Sequence, residues 1–301
     1  MRVVGIIGKV LIGAGIVLLL FAAYQVWGTS FQESHTQNTL RKTLEKESPN
    51  AEVQRALAEA AALDKLPTGP PVVAPTTLAP AEGKPVGEIR IPAIGINQVV
   101  VEGTNTLDLR KGPGHYTGTP LPGQAGNSSI AGHRTTYGHP FYNLNVLKVG
   151  DPIVLTTFQG IFVYDDVRTQ VVSPTDQDVL KNAFGAFLTL TTCNPRFSAS
   201  SRLVVTAKLA HSQLFPNTGL PPAKSGKPQP QSDDLAGNSS GQLHQAIVWG
   251  LIVAIAGAAV LLIAARFRRQ RWFIYVFGVV GLLVLLYFFF AAITPLLPAS
   301  L

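Results

Sequence analysis

Phe187-Leu-Thr-Leu-Thr-Thr-Cys193-Asn-Pro195 is the stretch on which the reading of this chain turns. Leu188 and Leu190 alternate with threonines, and that period of two predicts a strand with one apolar face. Asn194-Pro195 must end or bend it, because proline has no N–H for a ladder. Cys193 is therefore placed at a sheet rim and not in mid-core. It is the only cysteine in 301 residues, so no disulfide can form within the chain. A lone thiol is ordinarily a small buried hydrophobe. A strand-end thiol before a proline turn is where a nucleophile would be presented.

Outward from this strand the pattern repeats. Gly87–Pro92, Ile96–Val101, Ser128–Ala131, Ile153–Phe158, Ile161–Val172 and Leu203–Ala210 all read as short strands, with Gln159-Gly160 as a hairpin turn between two of them. About seven short strands with few helices predict a mainly β domain, a closed barrel or a sandwich. A closed barrel also removes exposed strand edges.

Cysteine chemistry needs a thiolate or a nearby proton acceptor, and later a proton donor for the leaving group. Histidine serves both near neutral pH. Of six histidines, His133 stands out, because it closes the strand Ser128–Ala131. His139 is a near competitor, and His115 lies in a glycine- and proline-rich loop from which it could line the site. A developing oxyanion also needs a stabiliser. Arg202 opens the strand Leu203–Thr206, nine residues after the cysteine, and a tight loop would return it to the same rim. Its charge is permanent and its donors are forked.

Ala131-Gly-His-Arg134, Thr189-Leu-Thr-Thr-Cys193 and the downstream Arg202 together resemble the sortase signature. Lys111-Gly-Pro-Gly-His-Tyr116, His133-Arg-Thr-Thr-Tyr-Gly138 and Cys193-Asn-Pro-Arg-Phe-Ser198 resemble the class E branch of actinobacteria. The resemblance implies a sortase-type eight-stranded β-barrel. It implies attack by Cys193 on the threonine carbonyl of an LPxTG- or LAxTG-type sorting signal on an exported protein. His133 would move protons, Arg202 would hold the oxyanion, and Thr192 would add to that site. A peptidoglycan precursor amine would resolve the thioester. Tyr137 is placed to enter the substrate groove and favour alanine at the second signal position. Pilin-polymerising sortases usually carry an Asp-Pro-aromatic lid, and residues 67–86 contain no such triplet. Peptidoglycan cross-linking cysteine transpeptidases usually place histidine close before the cysteine, where Thr191-Thr192 stand here. An inactive sortase-like membrane scaffold is the other alternative, against which all three polar residues are retained.

Only 14% of residues are charged, and the apolar excess collects in three blocks. Val3 to Trp27 is long enough to span a bilayer, and Arg2 and Lys9 orient its start to the cytoplasm. Ala246–Ala265 and Trp272–Ile293 are two further spans, joined by the basic run Arg266–Arg271, which predicts a cytoplasmic loop. The expected organisation is an anchor at 1–30, a helical stalk at 31–66 and a Pro/Thr-rich linker at 67–85. The barrel follows at 86–213, a second linker at 214–245, a membrane hairpin at 246–294 and a tail at 295–301. The catalytic domain then faces outward from a multi-pass membrane protein. The net charge is +7, and four of the positive charges, Arg266, Arg268, Arg269 and Arg271, read as topology determinants, while no basic stripe interleaved with aromatics suggests nucleic acid. No metal-ligand spacing or phosphate-binding glycine loop occurs, so no metal or cofactor is expected. Asp165-Asp166 and Asp176/Asp178 read as turn residues. Leu214-Phe-Pro-Asn-Thr-Gly219 itself resembles a sorting signal.

Overall fold

The computed structural model describes residues 2–48, 51, 53–55, 66–215, 240–267, 269 and 271–294. It divides into two units, Met1–Trp27 with Leu235–Ala299, and Gly28–Asp234 with Ser300–Leu301.

In the second of these, eight strands close into a barrel. They are β1 (Pro85–Ile91), β2 (Ile96–Glu102), β3 (Gly114–His115), β4 (Gly126–Ala131), β5 (Ile153–Thr157), β6 (Gly160–Val172), β7 (Ala186–Asn194) and β8 (Ser201–Leu214). Around the barrel the order is β1-β2-β3-β4-β7-β8-β6-β5, and β5 pairs back onto β1. The β2–β3 and β4–β7 ladders are parallel and the other six are antiparallel.

Alternation decides what faces inward. Ile89 and Ile91 of β1, Leu188 and Leu190 of β7, and Leu203, Val205, Ala207 and Leu209 of β8 fill the core with Ile130, Leu155, Phe162 and Tyr164. Each large side chain sealed in this way contributes roughly 1.5–3 kcal/mol. The β5–β6 hairpin ends on the pair Thr157↔Gly160, so its turn is Phe158-Gln159, one residue earlier than the sequence indicated. β3 was not foreseen, since two residues inside a glycine-rich loop carry no period.

The segment expected as a stalk begins with α1's successor in the chain, α2. Here α1 is Arg2–Ala23 and α2 is Thr29–Lys46. α2 does not stand free, because it lies along the barrel wall. Its buried stripe is Thr29, Glu33, Gln37, Leu40 and Leu44, spaced by three or four residues as one helical face requires. Leu40 packs on Val99 and Val101, and Leu44 on Val154, Ile161 and Val163. The Gln37 amide donates to Val99 O (3.0 Å) and Lys111 O (2.8 Å) and accepts from Val99 N (2.7 Å). Arg41 pairs with Glu88 at 2.7 Å. Pro49 and most of the helix expected after it lie outside the described residues.

The Pro/Thr-rich segment also has seats on the barrel. The Ser212 hydroxyl accepts from Val72 N at 2.6 Å and donates to Val72 O at 2.9 Å, and Ala74 forms a parallel bridge with Gln124. The sorting-signal-like run has only Leu214 and Phe215 among the described residues, so the rest of it lies outside them.

The other unit contains α1 and two further helices, α3 (Ser240–Arg266) and α4 (Arg271–Ile293). Leu243–Arg266 and Trp272–Ile293 are long and apolar enough to cross a membrane, and Leu11–Ala23 is a shorter apolar stretch. Phe21 and Tyr24 meet Tyr287 and Phe290 edge-on at 5.1–5.7 Å, and Trp249 stacks on Phe288 at 5.1 Å.

Candidate active site

The parallel ladder between β4 and β7 builds the site. Its pairs run from Gly126↔Ala186 to Ala131↔Thr191. Gly132 N extends the ladder by donating to Thr191 O at 3.0 Å. His133 and Cys193 therefore each lie two residues past the last paired position. They are delivered to one end of the barrel by backbone register alone. Gly132 has a local reason to be glycine, since a Cβ there would run into the Phe141 ring.

Cys193 is partly exposed, on the same strand face as Thr189 and Thr191. Burial raises its thiol pKa, while Arg202 and Arg134 pull it back down. Arg202 is the residue directly opposite in β8. Its Nη1 donates to Ala199 O (3.2 Å) and Ser201 O (3.3 Å), which holds the side chain against the β7–β8 loop. After Cys193 the chain turns through a cis Asn194-Pro195 bond.

His133 is held by its loop. Thr136 Oγ1 lies 3.4 Å from Nδ1, and Phe141 N donates to His133 O at 3.1 Å. Nε2 is sealed from solvent and has no hydrogen-bond partner among the described residues. Burial first, and then the charge of Arg110, push the imidazole pKa down to about 4. At neutral pH the ring is thus uncharged, and one nitrogen is uncommitted.

Register places three of the expected residues, Cys193, His133 and Arg202, at this end of the barrel, and Tyr137 packs beside His133. The Tyr137 ring lies 5.0 Å from that of His133, and the Arg110 guanidinium sits over the Tyr137 ring, 5.6 Å from its centroid. Thr192 is 3% exposed, faces the opposite side of β7 from Cys193, and donates its hydroxyl to Gly132 O at 2.7 Å. That hydroxyl is committed to bracing the strand before His133 and not to an oxyanion. His115 is fully enclosed. Its Nδ1 meets Glu102 Oε2 at 2.8 Å, and Nε2 meets Pro120 O and Thr119 Oγ1 at 3.0 Å. It cannot touch a substrate in this arrangement. His139 is exposed and stacks near Tyr142.

Sequence reasoning missed Arg134, although it stands beside His133. Its Nη1 donates to Cys193 O (3.0 Å) and Asn194 Oδ1 (2.6 Å), and its Nη2 to Asn145 Oδ1 (3.0 Å). One guanidinium thus ties the His133 loop to the turn after Cys193 and lays a positive charge beside the thiol. A cleft of about 260 Å³ lies between Ile94–Gln98 and the segment bearing His139, Tyr142 and Asn143, but Cys193 does not line it.

A rim thiol, an uncharged imidazole and a guanidinium at the end of a closed eight-stranded barrel define the class to which comparison with known proteins then gives a name. A family model described as a sortase domain matches residues 89–210. Sortase SrtE1 of Streptomyces coelicolor is 29% identical over 238 residues, 74% of this chain and 59% of that one. YwpE of Bacillus subtilis is 31% identical over 88 residues, 29% of this chain and 86% of that one. The solved sortase E of Streptomyces avermitilis is 39% identical, with a TM-score of 0.41, covering 46% of this chain and 99% of the other. The chain belongs to the sortase family and is class E-like. It spans 59% of the length of SrtE1, the first relative named here.

Proposed function

We propose that the protein is a membrane-anchored cysteine transpeptidase that cuts LPxTG- or LAxTG-type sorting signals between threonine and glycine. The cut substrate protein would then be passed to a cell-wall amine. The observation that carries this reading is the shared register of His133 and Cys193 beyond the Ala131↔Thr191 pair, with Arg202 opposite the thiol.

The Cys193 thiol attacks the threonine carbonyl carbon, and its proton passes to the imidazole of His133. The carbonyl oxygen gains the electron pair and is held by Arg202 in a site of low dielectric. The imidazolium then protonates the glycine nitrogen, the C–N bond breaks, and an acyl-thioester remains. An incoming amine attacks that thioester and gives its surplus proton back to His133. The new C–N amide bond forms as the C–S bond breaks, and the departing thiolate takes that proton from His133, which regenerates the thiol and the neutral imidazole. A neutral imidazole suits the first step because it can accept a proton. Apolar helices at 243–266 and 272–293 support membrane anchoring, with the basic run Arg266–Arg271 on the cytoplasmic side and the barrel outside.

The test is mass analysis of the full-length enzyme with LPxTG and LAxTG peptides. The expected result is an acyl adduct on Cys193 that disappears on adding an amine. Cys193→Ala should form none. Turnover by Cys193→Ala, or no adduct with any sorting peptide, would sink the reading.

A further inference from the structure

The loop that carries the catalytic histidine is backed by a helix that takes no part in the barrel. Tyr137, Gly138 and His139 have φ of 47°, 71° and 38°, three successive residues in the left-handed region. For tyrosine and histidine that conformation costs free energy and persists only where neighbours hold it. The neighbours come from the first two turns of α2. Thr29, fully buried, accepts a hydrogen bond from Tyr137 N at 3.2 Å. Glu33, 2% exposed, covers Gly138 so closely that a Cβ there would strike its carboxylate. Tyr137 in turn presents its ring to His133 at 5.0 Å.

We propose that Thr29 and Glu33 are positioning residues for the catalytic histidine, clamping the Tyr137-Gly138 turn and thereby setting the imidazole through the Tyr137 ring. The inference rests on His133 being the proton-transfer group of the reaction above. A brace for fold stability alone would be built from the apolar residues that α2 uses farther along, Leu40 and Leu44. At the histidine loop the contacts are polar instead, and Glu33 Oε1 is buried without a partner among the described residues. Burial pushes that carboxyl up to about 7. The charged and titratable groups around the clamp are Arg110 over the Tyr137 ring, His133 and Tyr137 themselves, and Lys111, whose ammonium goes to Asp108. On α2 itself, Arg41 is engaged by Glu88.

The experiment uses the full chain in detergent micelles, with hydrogen exchange over residues 133–142 and steady-state turnover of a sorting peptide measured across pH. Thr29→Val keeps the shape and removes the acceptor. It should speed exchange at the turn and lower kcat about tenfold with KM within about twofold, as expected when a catalytic group is slightly misplaced. Thr29→Ser should restore both. Glu33→Gln should remove a limb near pH 7 from the kcat profile. Arg41→Ala, which cuts a contact on the same helix, should lower the thermal midpoint but leave kcat and exchange at 133–142 unchanged. Wild-type exchange and kcat in both Thr29→Val and Glu33→Gln would overturn the proposal. So would faster exchange with unchanged kcat, or an Arg41→Ala that behaves like Thr29→Val. Absence of turnover in the wild type would count against the enzymatic reading instead, while exchange at the turn would still decide the clamp.

Discussion

Arg202 is the direct cross-strand partner of Cys193 in the β7–β8 ladder. Residues directly opposite on one face stand about 4.5–5.5 Å apart at Cβ, so the guanidinium is kept beside the thiol by the sheet itself.

On the proposed mechanism, Arg202→Ala is therefore expected to lower kcat by about 10²–10³, the usual cost of losing an oxyanion donor. Arg202→Lys should retain part of the rate, because it keeps the charge but loses the fork. Both effects are read with a fluorogenic peptide. Arg202 also opposes the burial that lifts the thiol pKa, so the alanine variant should move the midpoint of iodoacetamide alkylation to higher pH.

Two buried groups make stability depend on pH with opposite signs. His133 has its pKa lowered from 6.5 to about 4, so the folded state loses stability as pH falls through that window. Glu33 has its pKa raised from 4.5 to about 7, so the folded state loses stability as pH rises through its window. Each is worth at most about 3 kcal/mol, and between pH 4.5 and 6.5 they offset. Glu33→Gln should uncover a thermal midpoint that climbs with pH from about 4 to 6.5, and His133→Asn one that declines from 4.5 to about 7. A Glu33→Gln midpoint that stays flat would contradict the assignment.

Thr192→Val leaves Gly132 O without the hydroxyl it now accepts from. The expected cost is about 1–3 kcal/mol in chemical unfolding, accompanied by reduced turnover, since Gly132 leads directly into His133. Thr192→Ser should behave as wild type in both measurements.

Glu102→Gln and His115→Phe separate structure from substrate binding. The pair is sealed, with Glu102 2% and His115 0% exposed. Removing one partner of a buried pair costs about 3–5 kcal/mol. KM of the folded fraction should stay unchanged in His115→Phe, and a raised KM would restore His115 to the substrate groove.

Much of the barrel was legible because its strands alternate cleanly. Leu188/Leu190 and Leu203/Val205 announce both their face and their period. Cys193 was marked by the proline turn after it, and His133 by the strand before it. The rest was hidden for physical reasons. β3 is too short to have a period, and its pairing is imposed by β2 and β4 on either side. Arg134 was overlooked because an arginine gives no local sign of which distant carbonyl its fork will reach. The stripe Thr29, Glu33, Gln37 is polar, so helix-face reasoning based on apolar spacing saw only Leu40 and Leu44.

His133 and Cys193 are 60 residues apart in the chain, yet they are carried by neighbouring parallel strands, His133 two residues beyond the end of β4 and Cys193 near the end of β7. A chain still leaving the ribosome with β4 made and β7 pending holds an imidazole and no thiol. Even with both strands synthesised, the pair is assembled only when that long-range ladder zips, a slow event compared with local structure. On the proposed mechanism, unfinished copies would be chemically silent, and activity would begin only with the completed fold.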